Sequence, residues 1–235
     1  MDARQESILK LVVEEYIATA EPVGSRALCD KHRLECSPAT VRNDMAALEE
    51  AGYLRAPHTS AGRVPTEKAF VYYLRHFVEG KASGEERDAG REMKKAVRDE
   101  EGDENTVHML AKTLSELSGE MVIAAFDRSS SYYAGVGNLM SKPDFGDLEV
   151  VRALSLMVDR FDLIVRDIFD NVPQQPRVMI GRENPFGKDM ASVMVKFRLP
   201  SGHIAILGLV GPMRMDYGRN IALLEQAKEL LDERE

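Results

Sequence analysis

The stretch from Ser37 to Ala51, SPATVRNDMAALEEA, gathers hydrogen-bonding side chains on one side of a predicted helix. Asn43 carries an amide that can bond both the donor and the acceptor on the edge of an adenine. Thr40 and Arg42 flank it, within reach of bases or phosphates. The remaining outward positions are small, so that the helix can come close to another molecule: Ala39, Ala46 and Ala47. Together these residue types predict a helix that lies in the major groove of DNA.

The same stretch carries its own helix signals. Ser37 is a good N-cap, and Pro38 suits the first helical position, where a missing N–H costs nothing. One narrow face of the helix is apolar and is expected to pack on a core: Val41, Met45 and Leu48. Glu49 and Glu50 stand at the far end. A helix that enters the groove with its N-terminus therefore keeps these carboxylates away from the phosphates.

Two helices must precede and position this one. Ala3–Thr19 has apolar residues at helical spacing and ends at a stop made of Pro22 and Gly24. Ser25 is expected to cap a short helix that runs to about His32, and a tight turn then leads into the central helix. A helix, a short helix, a turn and a further helix follow one another in the helix-turn-helix order.

A hairpin is predicted after the central helix. The sequence predicts two short strands, Tyr53–Arg55 and Arg63–Pro65, joined by a loop at Ala56–Gly62. The stretch Arg55–His76 is a local basic patch, with four Lys or Arg residues against Glu67 alone. Such a hairpin is the wing of a winged helix, so residues 1–78 are predicted to be a winged helix-turn-helix DNA-binding domain. The candidate DNA contacts are Arg26, Ser37, Pro38, Ala39, Thr40, Arg42, Asn43, His58, Thr59, Ser60 and Arg63.

The rest of the chain predicts a second domain of α+β class. Thr66–Val78 is a helix whose apolar stripe suits core or dimer packing, with Phe70, Leu74 and Phe77 as dimer candidates. Residues 79–105 are highly charged and are expected to be a mobile linker or an exposed helix. Residues 106–235 contain predicted helices at Val107–Leu117, at Leu148–Phe169 as one long or two shorter helices, and at Asp216–Leu231. The predicted strands are Met121–Phe126, Tyr132–Val136, Arg177–Ile180, Ser192–Phe197 and His203–Val210.

Composition excludes several functional classes. The net charge is −8, but residues 1–76 hold 10 Lys and Arg against 11 Asp and Glu, so the acidity belongs mainly to the second domain. No apolar run has the length of a membrane span, and Met1–Leu11 carries Asp2 and Glu6 where a signal peptide would have basic residues, so a cytoplasmic protein is expected. The two cysteines, Cys29 and Cys36, are expected to be small buried or half-buried side chains.

No enzyme motif accompanies the DNA-binding pattern. The chain lacks a phosphate-cradling glycine loop, an HExxH motif, a serine nucleophile elbow and paired Cys/His ligands, so no reaction, cofactor or metal is expected. Arg214 and Asp216 in GPMRMDY can form a polar site, but the simpler interpretation is structural. In that interpretation Arg214 pairs with Asp216, and Asp216 caps the last helix.

Several segments resemble one family, that of the heat-inducible transcription repressor HrcA. They are PVGSRAL at Pro22–Leu28, SPATVRNDMAALEEAGYL at Ser37–Leu54 and PHTSAGRVPT at Pro57–Thr66, then YYAGVGNLMSKPDF at Tyr132–Phe145, IGREN at Ile180–Asn184 and GPMRMDY at Gly211–Tyr217. Because the matches keep their order across both ends of the chain, they are more specific than a helix-turn-helix alone.

The resemblance implies a winged-helix domain followed by a GAF-like domain into which a dimerisation segment is inserted. It implies a homodimer that binds an inverted-repeat operator upstream of chaperone genes, and a GroEL-type chaperonin that assists the repressor in reaching its active form. This chain passes from Phe126 to Tyr132 almost directly, so it is predicted to be a shortened member with a reduced GAF-like α+β domain. Two alternatives stay open: a winged helix used for protein contacts, and a ligand-sensing regulator that acts through the C-terminal domain.

Overall fold

The computed structural model describes residues 1–58, 61–78, 84–199 and 201–232, and the chain divides into two compact units, Met1–Val78 and Glu79–Glu235. We call these the first unit and the second unit. Two of the candidate DNA contacts, Thr59 and Ser60, lie outside the described residues.

The first unit consists of helices and one short β-ribbon. In chain order its elements are α1 (Ala3–Thr19), α2 (Ser25–His32), α3 (Pro38–Glu50), β1 (Leu54–Arg55), β2 (Val64–Pro65) and α4 (Glu67–His76). α1 begins in a capping box, because the Asp2 side chain accepts from the Gln5 N–H while the Gln5 side chain accepts from the Asp2 N–H. α2 has Gly24 as its N-cap, so Ser25 is the first helical residue and not the cap that the sequence predicts.

The core of the first unit lies where α1, α3 and α4 meet the ribbon. α3 contributes the predicted apolar face of Val41, Met45 and Leu48, all buried. Further buried side chains come from the other elements: Ile8, Leu9, Val12, Val13, Leu28, Leu54, Val64 and Phe70. The helical spacing therefore identified the side of α3 that faces inward.

The second unit is built on a sheet. Its described residues contain five strands: β3 (Met121–Ala125), β4 (Ser131–Ala134), β5 (Arg177–Ile180), β6 (Met190–Arg198) and β7 (Ile204–Pro212). They form one antiparallel sheet in the order β4–β3–β7–β6–β5. β6 and β7 pair along their whole length, from Met190 opposite Pro212 to Arg198 opposite Ile204. The predicted α+β class is confirmed.

Helices cover both faces of this sheet. The described helices of the second unit are α5 (Gly84–Ala96), α6 (Asp103–Ser118), α7 (Val136–Met140), α8 (Leu148–Asp159), α9 (Phe161–Ile168) and α10 (Tyr217–Asp232). One core cluster joins Met121 and Ile123 of β3 to Leu139, Leu154 and Phe161 of α7, α8 and α9. α6 and α10 contact β3, β6 and β7. All five residues of β3 are buried, which explains why this strand is a continuous apolar run in the sequence.

The predicted linker is largely a packed helix. Residues 79–105 were expected to be a mobile linker or an exposed helix, but α5 packs on α6 and α10. Ala89, Met93 and the following Val97 are buried. Three apolar side chains spaced four residues apart are enough to dock the helix, although the stretch around them is charged.

A tight turn joins β3 to β4. The Asp127 carboxylate accepts from the N–H groups of Ser129 and Ser130 at 2.6 and 2.8 Å, and the Phe126 N–H donates to the Ser130 carbonyl at 2.9 Å. The N–H of Ser129 contributes most to lowering the pKa of Asp127. The antiparallel pair is thus closed directly, as the short spacing between Phe126 and Tyr132 requires.

Candidate nucleic-acid interface

The N-terminal half of α3 carries the exposed candidate residues. The Ser37 side chain accepts from the Thr40 N–H at 3.2 Å, which confirms Ser37 as the N-cap. Pro38, Ala39, Arg42 and Asn43 are exposed, whereas Thr40 is half-buried. Ala46 and Ala47 are half-buried rather than fully outward, so the exposed candidate residues of α3 lie in its first two turns.

A buried carboxylate holds α3 from the opposite side. Asp44 is 5% exposed, and the Arg4 guanidinium of α1 donates to it twice, from Nε at 2.7 Å and from Nη2 at 3.1 Å. The hydrogen bond to Asp44 raises the pKa of Arg4. Sequence reasoning missed this pair, although Asp44 stands three residues after Val41 and four before Leu48, on the buried face.

The ribbon between α3 and α4 is tied to the turn between α1 and α2. β1 and β2 pair antiparallel, with Leu54 opposite Pro65. Before β2, Arg63 and Val23 exchange two backbone hydrogen bonds of 2.9 Å each. A Cβ atom on Gly62 would lie 2.4 Å from the Val23 carbonyl oxygen, so only glycine fits this close approach.

Arg63 is paired with an acidic residue of α3. Its Nε donates to Glu49 Oε2 at 2.8 Å, and the Glu49 Oε1 atom accepts from the Ala56 N–H at 3.0 Å. The sequence predicts Glu49 at the far end of the helix and Arg63 on the hairpin as a DNA contact, but it does not predict that the two residues pair. The hairpin brings them together across 14 positions of sequence.

A groove of about 410 Å³ lies between α2, α3 and the loop before β2. Its lining residues are Val23, Gly24, Ser25, Arg42, Met45, Ala61, Gly62 and Arg63. Two of the predicted DNA contacts, Arg42 and Arg63, thus face one groove. Arg26 and His58 are exposed but are not among its lining residues.

The three dimer candidates, two on α4 and Phe77 at its C-cap, differ in exposure. Phe70 is 1% exposed and its ring centroid lies 6.4 Å from that of Tyr16, so it belongs to the core of the first unit. Leu74 and Phe77 are half-buried. Of the three, only these two keep surface that another molecule can cover.

The polar residues near Gly211–Tyr217 form a structural cluster in the second unit. Arg214 pairs with Asp144, with 2.6 Å between Nη2 and Oδ2, a partner that the sequence does not predict. Asp216 accepts from the Arg219 N–H at 3.1 Å, which confirms it as the cap of α10. Nearby, Glu120 pairs with Lys142 at 2.5 Å.

In the described ranges no group of three or more His, Cys, Asp or Glu side chains is arranged to hold a metal ion. None of the helices in the same ranges joins the length and the apolarity that a bilayer span requires. Cys29 is buried, which raises the pKa of its thiol, and Cys36 is half-buried.

The chain is similar to known proteins over most of its length. Residues 64–221 match the family described as "HrcA protein C terminal domain". The heat-inducible transcription repressor HrcA of Halalkalibacterium halodurans is 25% identical over 94% of each chain. That of Thermobifida fusca is 55% identical over 74 residues, which are 32% of this chain and 22% of that protein. The repressor of Bifidobacterium animalis is 62% identical over 71 residues, 30% of this chain and 19% of that protein.

The fold also has a solved counterpart. The crystal structure of a hypothetical protein at 2.2 Å resolution superimposes with a TM-score of 0.76 at 20% identity, covering 99% of this chain and 97% of that one. The alignment with the Halalkalibacterium halodurans protein spans 323 positions, whereas 94% of 235 residues is about 221, so about 100 positions have no counterpart here. Since the family match covers about two thirds of the chain, this protein belongs to the HrcA family.

Proposed function

We propose that this protein is a transcriptional repressor whose first unit is a winged helix-turn-helix domain that binds an operator in DNA. The observation that carries the proposal is the placement of Arg42 and Asn43, exposed together on the first two turns of α3. The names of the relatives, heat-inducible transcription repressors, support the same function.

The exposed half of α3 suits a major groove. Ala39 adds little bulk, so the helix can come close to the bases. The Asn43 amide then reads a base edge, and Arg42 contacts a guanine or a phosphate. Ser37 and Thr40, whose hydroxyls lie 2.9 Å apart, are placed for phosphate contacts at the N-terminus of the helix.

The hairpin supplies the remaining contacts in this proposal. His58 and Arg63, with Thr59 and Ser60, reach the backbone or the adjacent minor groove, and Arg26 on α2 contacts phosphate. The first 76 residues are almost neutral, with 10 cationic and 11 anionic side chains. The protein therefore binds through a local surface and does not coat DNA indiscriminately.

We further propose that the operator is an inverted repeat upstream of chaperone genes and that a homodimer binds it. Two copies of α3 must then stand roughly 34 Å apart, or a multiple of that distance. The first unit offers Leu74 and Phe77 for this assembly, and a reduced GAF-like second unit offers its own surface. A GroEL-type chaperonin assists folding in the cytoplasm. Heat acts either by lowering the folded fraction or by drawing the chaperonin to other clients.

A binding titration tests the proposal. Full-length protein is titrated against a duplex with an inverted repeat from a chaperone promoter and against a scrambled duplex, at two salt concentrations. We expect tight binding that salt weakens steeply and that the scrambled duplex loses. Asn43→Ala costs roughly 1–3 kcal/mol and relaxes base preference, whereas Arg152→Ala, an exposed arginine on α8, leaves affinity unchanged. Equal, weak binding to both duplexes contradicts the proposal and favours a winged helix used for protein contacts.

A ligand-sensing role for the second unit is the second candidate. A groove of about 400 Å³ there is lined largely by apolar atoms, among them those of Phe145, Leu154, Phe186 and Met190. Specific binding of a small molecule stabilises the folded state by mass action, so a compound that fits the groove raises the melting temperature. A screen with no such compound argues against this role.

A further inference from the structure

Glu49 joins both arms of the ribbon to the end of α3. Its Oε1 atom accepts from the N–H of Ala56, just after β1, and its Oε2 atom accepts from Nε of Arg63, just before β2. The carboxylate is half-buried, with a side-chain exposure of 34%, and Arg63 is 26% exposed. Each oxygen of the Glu49 carboxylate therefore accepts one hydrogen bond from an arm of the hairpin.

Within the residues that the structure describes, this arrangement leaves one edge of the Arg63 guanidinium free. Nε is held by Glu49, and Nη1 points toward the Ala61 carbonyl at 3.5 Å. Among the described residues Nη2 has no acceptor, and Arg63 lines the same groove as Arg42. The backbone of Arg63 is fixed as well, through its two hydrogen bonds to Val23.

We propose that Glu49 is a positioning residue for DNA binding: it holds the Arg63 guanidinium in the groove beside Arg42, where the free edge takes a backbone phosphate. The inference deepens the proposed DNA-binding function and rests on it. Glu49 itself touches no DNA. Its role is to select one orientation of a long, flexible side chain before the phosphate arrives, which lowers the entropy that Arg63 loses on binding.

The sign of a mutational effect separates this role from simple electrostatics. A carboxylate near DNA repels phosphates, so electrostatics alone predicts that removing its charge tightens binding. If Glu49 orients Arg63, removing the charge weakens binding instead. Glutamine is the discriminating replacement, because the Ala56 N–H and the Arg63 Nε–H each face a different oxygen of Glu49, and the glutamine amide puts an NH2 donor in place of one of them.

Glu50→Gln is the matched control. Glu50 is the next residue on α3, is exposed, and carries the same charge. We expect Glu49→Gln to weaken binding of the inverted-repeat duplex about tenfold, the equivalent of one charge-assisted hydrogen bond. The negative slope of log affinity against log salt becomes shallower by about 1, since one phosphate contact is lost. Glu50→Gln leaves affinity unchanged or raises it.

A double variant tests whether Glu49 acts through Arg63. Once Arg63→Ala has removed the guanidinium, Glu49→Gln causes no further loss of affinity. Independent, additive losses would mean that Glu49 stabilises the helix end in another way. If Glu49→Gln lowers the melting temperature of the protein, the binding measurement is made with Glu49→Asp instead. Aspartate keeps the charge but is too short to span both donors.

The possible failures are distinguishable. If the wild-type protein shows no salt-sensitive binding to DNA, the proposed function itself is wrong. If the wild type binds and Glu49→Gln binds equally well or more tightly, DNA binding stands and the positioning role of Glu49 is refuted.

Discussion

Glu120 makes the stability of the second unit depend on pH. Glu120, the residue just before β3, is 3% exposed. Lys142 lies 2.5 Å from Oε1, while Oε2 has no hydrogen-bond partner among the described residues. Burial raises the pKa of Glu120 from 4.5 to about 7, because desolvation outweighs the attraction of Lys142 and Arg214.

The sign follows from the direction of this rise. The folded protein holds the proton of Glu120 more tightly than the unfolded chain does, so protonation stabilises the fold. That contribution is complete below pH 4.5 and is lost as pH rises through about 7. A rise of the pKa from 4.5 to about 7 corresponds to about 3 kcal/mol in the free energy of unfolding.

Glu120→Gln isolates this effect, because an amide resembles the protonated carboxyl at every pH. We expect the variant to match the wild type near pH 4.5 and to be more stable by about 3 kcal/mol at pH 8. Urea unfolding of the full chain, with amide exchange of β7 to assign the transition to the second unit, measures the difference. Glu116 is an exposed acid near the end of α6, four residues before Glu120. Glu116→Gln is expected to leave the free energy of unfolding unchanged at both pH values.

The opposite result would refute the argument. If Glu120→Gln is less stable than the wild type at pH 8, the ion pair with Lys142 is worth more than the desolvation of the carboxylate. A difference between the two proteins that stays constant from pH 4.5 to pH 8 would likewise show that Glu120 is not protonated near neutrality.

Three further predictions concern the first unit and are measured by its melting. Gly62→Ala costs about 1–3 kcal/mol, because its Cβ would lie 2.4 Å from a backbone oxygen of the α1–α2 turn, whereas Gly24→Ala, with open space, costs under about 1 kcal/mol. Arg4→Ala lowers the melting temperature more than Asp44→Asn does, since only the former leaves a buried carboxylate unpaired; equal losses contradict this. Ser37→Ala costs about 1 kcal/mol, and Ser37→Asp restores it if capping is the cause.

Local signals were sufficient for most of the elements. The cap at Ser37 and the proline after it predict the start of α3, and the strand at Arg177–Ile180 has the observed bounds. The packing of α5, which lies in a stretch predicted to be a linker or an exposed helix, was missed for a physical reason. Its buried side chains are few and stand among charges, and a partner that makes them core, α10, lies more than a hundred residues later in the chain.

The candidate site also has one part that the sequence predicts and another that it does not. Exposure of Arg42 and Asn43 follows from helical periodicity, because they lie opposite an apolar face. The pairing of Arg63 with Glu49 does not follow from any local pattern, since it depends on the path by which the hairpin returns to the helix. The same holds for Arg214, whose partner Asp144 is 70 residues away.

Because α5 packs on α10, the second unit cannot complete its fold until the end of the chain has been synthesised. A ribosome releases α5 about 130 residues before α10, an interval of roughly 7–27 s at ordinary elongation rates. The first unit, complete at Val78, can fold in that time, but the packing of α5 is incomplete until α10 has been made. Every nascent chain thus passes through a stage in which a finished N-terminal unit leads an unfinished one with apolar surface exposed. That stage is when a chaperone has the most to bind.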